Sequence, residues 1–282
     1  MNAFPSYIDL EFTARCNLAC GFCFGPRDDR SVADLGRAFW SNVIAEVARR
    51  GAQGIVVSGG EPTLVGELPA LLATAKALGL KTVVSTHGRH TSKVAKIAAH
   101  SDWIALPADA ASREGLVEMR GDTWGLPQAA KLARELKVLA PHVRIKLGSV
   151  GTRLNVRELV RLAQDLREYE PMPFDTWKIY QYTPRRKFAG RRELYEMSDA
   201  QFAALENAVR ATGVPNWSMP SFRPMRPEGG PTCSSIPTAR SRSRTRANPS
   251  ATRCLAMLQW KAWACSTAWQ PGSLARTRGT SR

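Results

Sequence analysis

Residues 7–13 alternate apolar and polar side chains, the period of a strand with one covered face. The pattern changes to a helical period across residues 35–50. There Phe39, Val43, Ile44 and Val47 fall on one face, and Gly51 and Gly54 end the run. The same exchange repeats down the chain. Short apolar or alternating runs at 55–58, 81–86, 103–106, 143–148 and 176–182 read as strands. Between them, 68–78, 91–99, 126–139 and 156–169 read as helices, with Pro141 breaking the chain after the third of these. A last helix runs from Ser198 to about Ala211, opened by a capping box between Ser198 and Gln201.

Six strands alternating with helices predict parallel βαβ units, because each parallel pair needs a crossover and a helix supplies it. The expected class is α/β, a partial (β/α)6 barrel. Ligands in such folds gather at the carboxyl ends of the strands, so chemistry is sought in the segment after each strand. The pattern divides the chain into a core at 1–212, a connection at 213–230 and a tail at 231–282 without any period.

The 282 residues suffice for one large α/β domain. No run is long and apolar enough to span a membrane. The start, Met1-Asn2-Ala3-Phe4-Pro5, lacks the basic-then-apolar layout of a secretory signal, so a cytoplasmic, reducing setting is expected. A formal net charge of +16 first suggests nucleic acid. Yet residues 231–282 hold nine Lys and Arg and no Asp or Glu, which leaves +7 on residues 1–230. A body so charged suits an anionic small molecule as well as a polyanion, and nucleic acid is not the expected partner.

Cys16-Asn17-Leu18-Ala19-Cys20-Gly21-Phe22-Cys23 follows the first strand. Three thiols at C-x3-C-x2-C spacing can turn toward one point. Zinc would need a fourth N or S ligand, and the nearest His in sequence is His87. Disulfide pairing calls for an oxidising compartment that this sequence does not indicate. A cubane iron–sulfur cluster is held by thiolates, commonly four, and with three it keeps one iron open to a small molecule. The second strand runs into Gly59-Gly60-Glu61-Pro62, where glycine lets backbone approach a ligand closely. His87, after the third strand, reads as a loop residue rather than a metal ligand.

C-x3-C-x-aromatic-C after a first strand, with Gly-Gly-Glu-Pro one βα unit later, resembles the radical S-adenosylmethionine (radical SAM) family. The resemblance implies a [4Fe-4S] cluster on Cys16, Cys20 and Cys23, with the amino and carboxylate groups of SAM on the open iron. It implies reductive cleavage of SAM to a 5′-deoxyadenosyl radical. Phe22 holds the family's aromatic position, whose backbone helps hold adenine. Gly59, Gly60, Glu61 and Pro62 hold the position that meets SAM's amino group. Ser85 or Thr86 matches the strand end that touches its ribose or carboxylate.

On the fifth strand Val143, Ile145 and Leu147 share one face and Arg144 and Lys146 the other. On the sixth, Trp177 and Ile179 oppose Lys178, Tyr180 and Tyr182. With the apolar faces packed on outer helices, the cations point into the barrel. There they either pair with Asp9, Glu11 or Asp109, or bind phosphates. Arg185-Arg186-Lys187 either extends that site or is a solvated loop. Lys146-x-x-Ser149-Val150-x-x-Arg153-x-Asn155, then Trp177-Lys178-x-x-Gln181, is similar to the viperin-like branch of the family. The Cys-Asn-x-x-Cys-Gly-Phe-Cys-Phe form of the cysteine loop agrees, and the likeness covers about residues 7–210. That branch dehydrates CTP to its 3′-deoxy-3′,4′-didehydro form. The likeness implies a nucleotide substrate, Lys146 near its phosphates, and Arg144, Arg153, Asn155 and Lys178 around it. It also implies an electron donor of the flavodoxin or ferredoxin type. Phe24-Gly25-Pro26-Arg27 departs from the branch, which has a His and then a Lys/Ser/Thr-rich segment there. The nucleotide therefore stays open, as does a peptide or another small metabolite. The reading from another class is a basic nucleic-acid-binding protein, marked by salt-sensitive binding that is lost with residues 231–282.

The tail is Arg/Ser-rich over 237–246, and Trp260, Trp263 and Trp269 follow without a pattern. The gaps between Cys233, Cys254 and Cys265 suit no familiar metal site. An irregular, disordered tail is expected, either a nucleic-acid arm with stacking aromatics or a segment read out of frame. With GC-rich codons assumed for residues 237–269, reading from the third base of the Pro237 codon gives an uninterrupted acidic peptide. It has a strand and a helical end, closer to a globular C-terminus than the tail is. The gene's nucleotide sequence decides between the two.

Overall fold

The computed structural model describes residues 5–23, 25, 35–184 and 190–214, and the backbone of Arg223 and Pro224. Seven strands run in chain order: β1 (Tyr7–Thr13), β2 (Gly54–Gly59), β3 (Lys81–Ser85), β4 (Trp103–Pro107), β5 (Arg144–Gly151), β6 (Thr176–Gln181) and the two-residue β7 (Arg223–Pro224). The helices are α1 (Arg37–Arg49), α2 (Leu68–Ala77), α3 (Thr91–Ala98), α4 (Arg113–Arg120), α5 (Leu126–Leu139), α6 (Val156–Leu166), α7 (Arg192–Tyr195) and α8 (Asp199–Ala211). A 3-10 turn at Pro62–Leu64 follows β2.

Each strand pairs in parallel with the next, so sheet order equals chain order. β1 and β7 are the two edges, and the sheet is open: a partial barrel of six substantial strands. β7 is an addition to the six predicted.

The period of two on each strand decides which face is covered. Along β1 the side chains of Ile8, Leu10 and Phe12 join Trp40, Ile44 and Val47 of α1 and Leu71 and Leu72 of α2 in one buried cluster. Along β5 and β6, Ile145, Leu147, Trp177 and Ile179 join Leu132 and Leu136 of α5 and Leu159 and Leu162 of α6 in a second. The opposite face of β5, from Arg144 through Lys146, is open or half-buried, in strict alternation with the covered one. That is the predicted division, with apolar faces on the helices and cations toward the interior.

α4 was not anticipated, and its sequence explains why. Gly115 sits in its middle, where glycine costs helix about 1 kcal/mol relative to alanine. Packing requires it: a Cβ there would press on Ala110 and on the Glu158 side chain. Ser112 caps α4 at its start, and Gly121 ends it in the left-handed region at φ 63°. The predicted capping box of α8 is present, with the Gln201 N–H on Ser198 Oγ at 3.2 Å and the Ser198 N–H on Gln201 Oε1 at 2.9 Å. The tail at 231–282, its out-of-frame reading, and Phe24, Pro26 and Arg27 of the departing loop lie outside the described residues, as does Arg185-Arg186-Lys187. Among the described residues no helix is long and apolar enough to cross a membrane.

Leu147 has no exposed surface and stands between the sheet and its helices. Leu147→Ala is expected to cost about 2–5 kcal/mol in urea unfolding. A loss below about 1 kcal/mol would contradict this packing.

Candidate active site

Three segments meet at the carboxyl ends of β1, β2 and β3. The first is the cysteine loop. Cys16, Cys20 and Cys23 are half-buried and in no disulfide. The loop curls on itself: the Leu18 N–H donates to Cys16 Sγ at 3.5 Å and the Cys23 N–H to the Cys20 carbonyl at 3.4 Å. The Cys20 thiol donates to the Arg120 carbonyl at 3.9 Å. Its pKa is pushed up to about 11, first by burial, against the pull of Arg120, and further by Asp109, Cys23 and Cys16.

Three free thiols on one loop are a donor set that fits a cubane, which takes one thiolate on each of three irons.

The second segment is the turn after β2. The Gly60 N–H donates to the Thr13 carbonyl at 2.6 Å, and the Glu61 N–H to the Arg15 carbonyl at 2.7 Å. Gly59 has φ of 117°, and a Cβ on Gly59 or Gly60 would overlap the backbone of residues 13–15. The glycines are therefore required by the chain itself. They let the turn close against the end of β1, just before Cys16. Pro62 is buried at the start of the 3-10 turn.

Glu61 is 1% exposed, and its carboxylate is filled by donors. Oε1 accepts from the Thr63 N–H (3.0 Å), the Thr63 hydroxyl (2.7 Å) and the Thr86 hydroxyl (2.6 Å). Oε2 accepts from the His87 N–H at 2.8 Å. The third segment, the end of β3, is thereby fastened to the turn. Of the two strand-end candidates, Thr86 spends its hydroxyl proton on Glu61, and Ser85 remains exposed.

His87 is 7% exposed. Its pKa is lowered to about 4, chiefly by burial, with Glu61 pulling the other way and His90, Arg120 and Arg89 adding to the fall. The ring is therefore neutral at physiological pH. Nδ1 accepts the Arg89 N–H at 3.1 Å, so the proton resides on Nε2. Nε2–H donates to Asn17 Oδ1 at 2.7 Å, with Glu61 Oε2 3.4 Å away. A residue read from the sequence as loop is a bridge between the cysteine loop and the turn.

Arg120 was also missed. It is buried, and its Nη1 donates to Asp109 Oδ2 at 2.8 Å. Burial opposes its charge, but Asp109 and Cys20 more than offset this and raise its pKa. Among the described residues its Nε is buried without a partner. The Phe22 ring stacks edge-on with Tyr195 at 6.4 Å, in a cluster with Tyr182 and Met119. The ring is thus turned into protein, and only the backbone of Phe22 is left for a ligand.

The interior wall of β5 and β6 carries the other predicted cations. Lys146 Nζ donates to Tyr180 Oη at 3.3 Å and stands 5.6 Å from that ring's centre. Arg144 lies over Trp103 at 5.5 Å. Among the described residues neither cation pairs with a carboxylate: Asp109 is taken by Arg120, and Asp9 accepts from Ser58. Lys178 shares the Tyr180 face of β6.

Arg153 and Asn155 follow the carboxyl end of β5. The Arg153 Nε donates to the Glu196 carbonyl, and its side chain lines a cleft of about 520 Å³ with residues of α4 and α6. Asn155 is buried with its amide fully engaged. It donates to the carbonyls of Asp109 and Val150 and accepts from the Thr152 N–H and hydroxyl. Both residues support the end of β5 instead of facing its interior wall.

The Radical SAM superfamily model matches residues 10–166, more than half of the chain. The chain is 26% identical over 207 residues to the S-adenosylmethionine-dependent nucleotide dehydratase of Lacinutrix mariniflava, covering 70% of this chain and 42% of that one. It is 31% identical over 168 residues to the PqqA peptide cyclase of Methylobacterium nodulans, covering 56% and 43%. The chain thus spans less than half the length of either relative. Among solved structures, Streptococcus suis SuiB bound to S-adenosylmethionine superposes with a TM-score of 0.66 at 18% identity, over 80% of this chain and 52% of that one.

The His87 assignment predicts a ring that stays neutral, with its proton on Nε2, from pH 8 down to about pH 5, as seen by ¹⁵N NMR. Its folded pKa of about 4 lies below the unfolded value near 6.5. Its contribution to stability is therefore complete above the unfolded value and is lost as pH falls from there toward 4. A titration midpoint near 6.5 in the folded protein would contradict the assignment.

Proposed function

Because this chain belongs to the radical SAM superfamily, we propose that it is a SAM-cleaving enzyme that abstracts hydrogen from a nucleoside triphosphate and dehydrates its ribose. Cys16, Cys20 and Cys23 hold the [4Fe-4S] cluster. The turn Gly59 to Pro62 and the backbone of Phe22 bound the SAM site. Ser85, exposed at the end of β3, suits SAM's ribose. When bound, the cluster supplies one electron that splits SAM into methionine and a 5′-deoxyadenosyl radical. The chain's own part is to orient SAM, exclude water and present the substrate's C–H bond.

The observation that carries the substrate reading is the interior wall of β5 and β6. Lys146 is held by the Tyr180 ring and, among the described residues, by no carboxylate, whereas Arg144 is exposed at the amino end of β5, away from the strand ends that carry the cysteine loop. The charge of Lys146 is steadied without being neutralised, and that selects an anion. Lys146 and Lys178 would take the phosphates, placing the ribose between them and the SAM turn. The nucleotide dehydratase relative agrees with this reading. Loss of a ribose hydrogen atom, departure of a hydroxyl as water and uptake of one electron leave the substrate one water lighter. The electrons come from a donor of the flavodoxin or ferredoxin class, in a reducing cytoplasm that suits free thiols. A second reading, a peptide substrate, is favoured by the likeness to the peptide cyclase.

Anaerobic reconstitution, followed by SAM, dithionite and each nucleoside triphosphate in turn, tests the proposal by mass spectrometry. Formation of 5′-deoxyadenosine should rise with one nucleotide, which appears with one water lost. Lys146→Ala should raise that nucleotide's KM about tenfold or more, the scale of a charge-assisted hydrogen bond. Stimulation by peptides and by no nucleotide would replace the nucleotide with the second reading. Separately, Cys→Ser at 16, 20 or 23 should abolish cluster absorbance; an unchanged iron content would remove the cluster assignment.

A further inference from the structure

We propose that His87 is a positioning residue: its Nε2–H, donated to Asn17 of the cysteine loop, and its main-chain N–H, donated to Glu61 of the SAM turn, together set the distance between the cluster and its ligand. This rests on the reading that the site binds SAM.

The geometry carries the argument. The cysteine loop and the turn are joined through backbone at their bases, where Gly60 and Glu61 donate to residues 13 and 15. The far side of the loop is fastened to other parts of the chain, through Cys20 on the Arg120 carbonyl and Phe22 in its aromatic cluster, and not to the turn. Asn17, one residue past Cys16, is where the loop is tied to the turn by a side chain: its Oδ1 receives the imidazole proton at 2.7 Å. Behind the ring, Nδ1 is pinned by the Arg89 N–H at 3.1 Å, which fixes both tautomer and orientation. The His87 backbone N–H is itself anchored on Glu61 at 2.8 Å. One residue therefore grips Glu61 by its main chain and Asn17 by its ring. A side chain without a donor could fill the same space, but it would leave Asn17 unheld and Glu61 one polar neighbour short.

The role separates from cluster assembly, because His87 supplies no ligand to iron. It also separates from simple packing, because it depends on a donor at the Nε2 position. Gln places an N–H near that point; Leu fills similar volume with none. The test compares reconstituted full-length wild type, His87→Gln and His87→Leu for iron content, thermal unfolding, SAM Kd by calorimetry and the change that SAM makes in the EPR spectrum of the reduced cluster. Leu is expected to keep wild-type iron content and to weaken SAM binding roughly tenfold, the scale of one hydrogen bond. It should also blunt the SAM-induced EPR change. Gln should stay within about threefold of wild type. Asn17→Ala alters an exposed residue and so tests the link even if Leu prevents folding; it should weaken SAM binding in the same direction. Equal loss in Gln and Leu, loss of iron in Leu matching a cysteine variant, or wild-type affinity in both Leu and Asn17→Ala would each overturn the proposal. If wild type assembles its cluster yet binds no SAM, the functional reading itself fails, and this inference with it.

Discussion

The buried carboxylate of Glu61 is the constraint on which the site depends. A carboxylate with 1% of its surface exposed is costly unless its oxygens are satisfied, because an unmet buried charge loses several kcal/mol of hydration. The donors come from the turn itself, through Thr63, and from the end of β3, through Thr86 and the His87 main chain. Satisfying the charge therefore fixes where β3 ends relative to the turn. The glycines before Glu61 let the same turn press on the end of β1, the strand from which the cysteine loop departs. One charge and two glycines thus place three strand ends, while Phe22, packed on Met119, Tyr182 and Tyr195, anchors the cysteine loop beyond them.

The sheet separates stability from chemistry. Its outer face is apolar and packed on helices, so it can be rigid. Its inner face carries polar and charged groups on the same strands, one residue out of phase. Arg144 and Lys146 can stay there because aromatic rings partner them at little cost in charge. Asp109 and Asn155 brace the return from β5: Asp109 ties the Val150 N–H to Arg120, and Asn155 ties Val150 to the Asp109 main chain. The support for Arg120, and through its carbonyl for Cys20, is thus continuous with the strand that carries Lys146.

Much of this was legible in the sequence, and the reason is locality. The period of two at 7–13 and 143–148 and the helical faces between the strands follow from neighbours a few residues apart. So does the seating of Cys16, Cys20 and Cys23 on one loop after β1. What was not legible depends on partners distant along the chain. His87 meets Asn17 across seventy positions, and the Arg120 carbonyl meets Cys20 across a hundred. Nothing near either residue in sequence announces its partner. α4, which carries Arg120, was hidden by a glycine that tertiary packing demands. Arg153 and Asn155 were placed beside Lys146 because they follow it closely in one motif. Their bonds, to the carbonyls of Glu196, Asp109 and Val150, are again partners that the motif does not announce.

The central claim is that the cysteine loop and the glycine turn together hold a cluster with one iron open to SAM. The most direct measurement is EPR of the anaerobically reconstituted, reduced protein with and without SAM labelled at its methionine amino nitrogen. The account predicts about four irons per chain, a signal that SAM perturbs, and hyperfine coupling from the labelled nitrogen to the cluster. A protein that takes up about one zinc per chain, or whose cluster signal is unchanged by SAM, would contradict it.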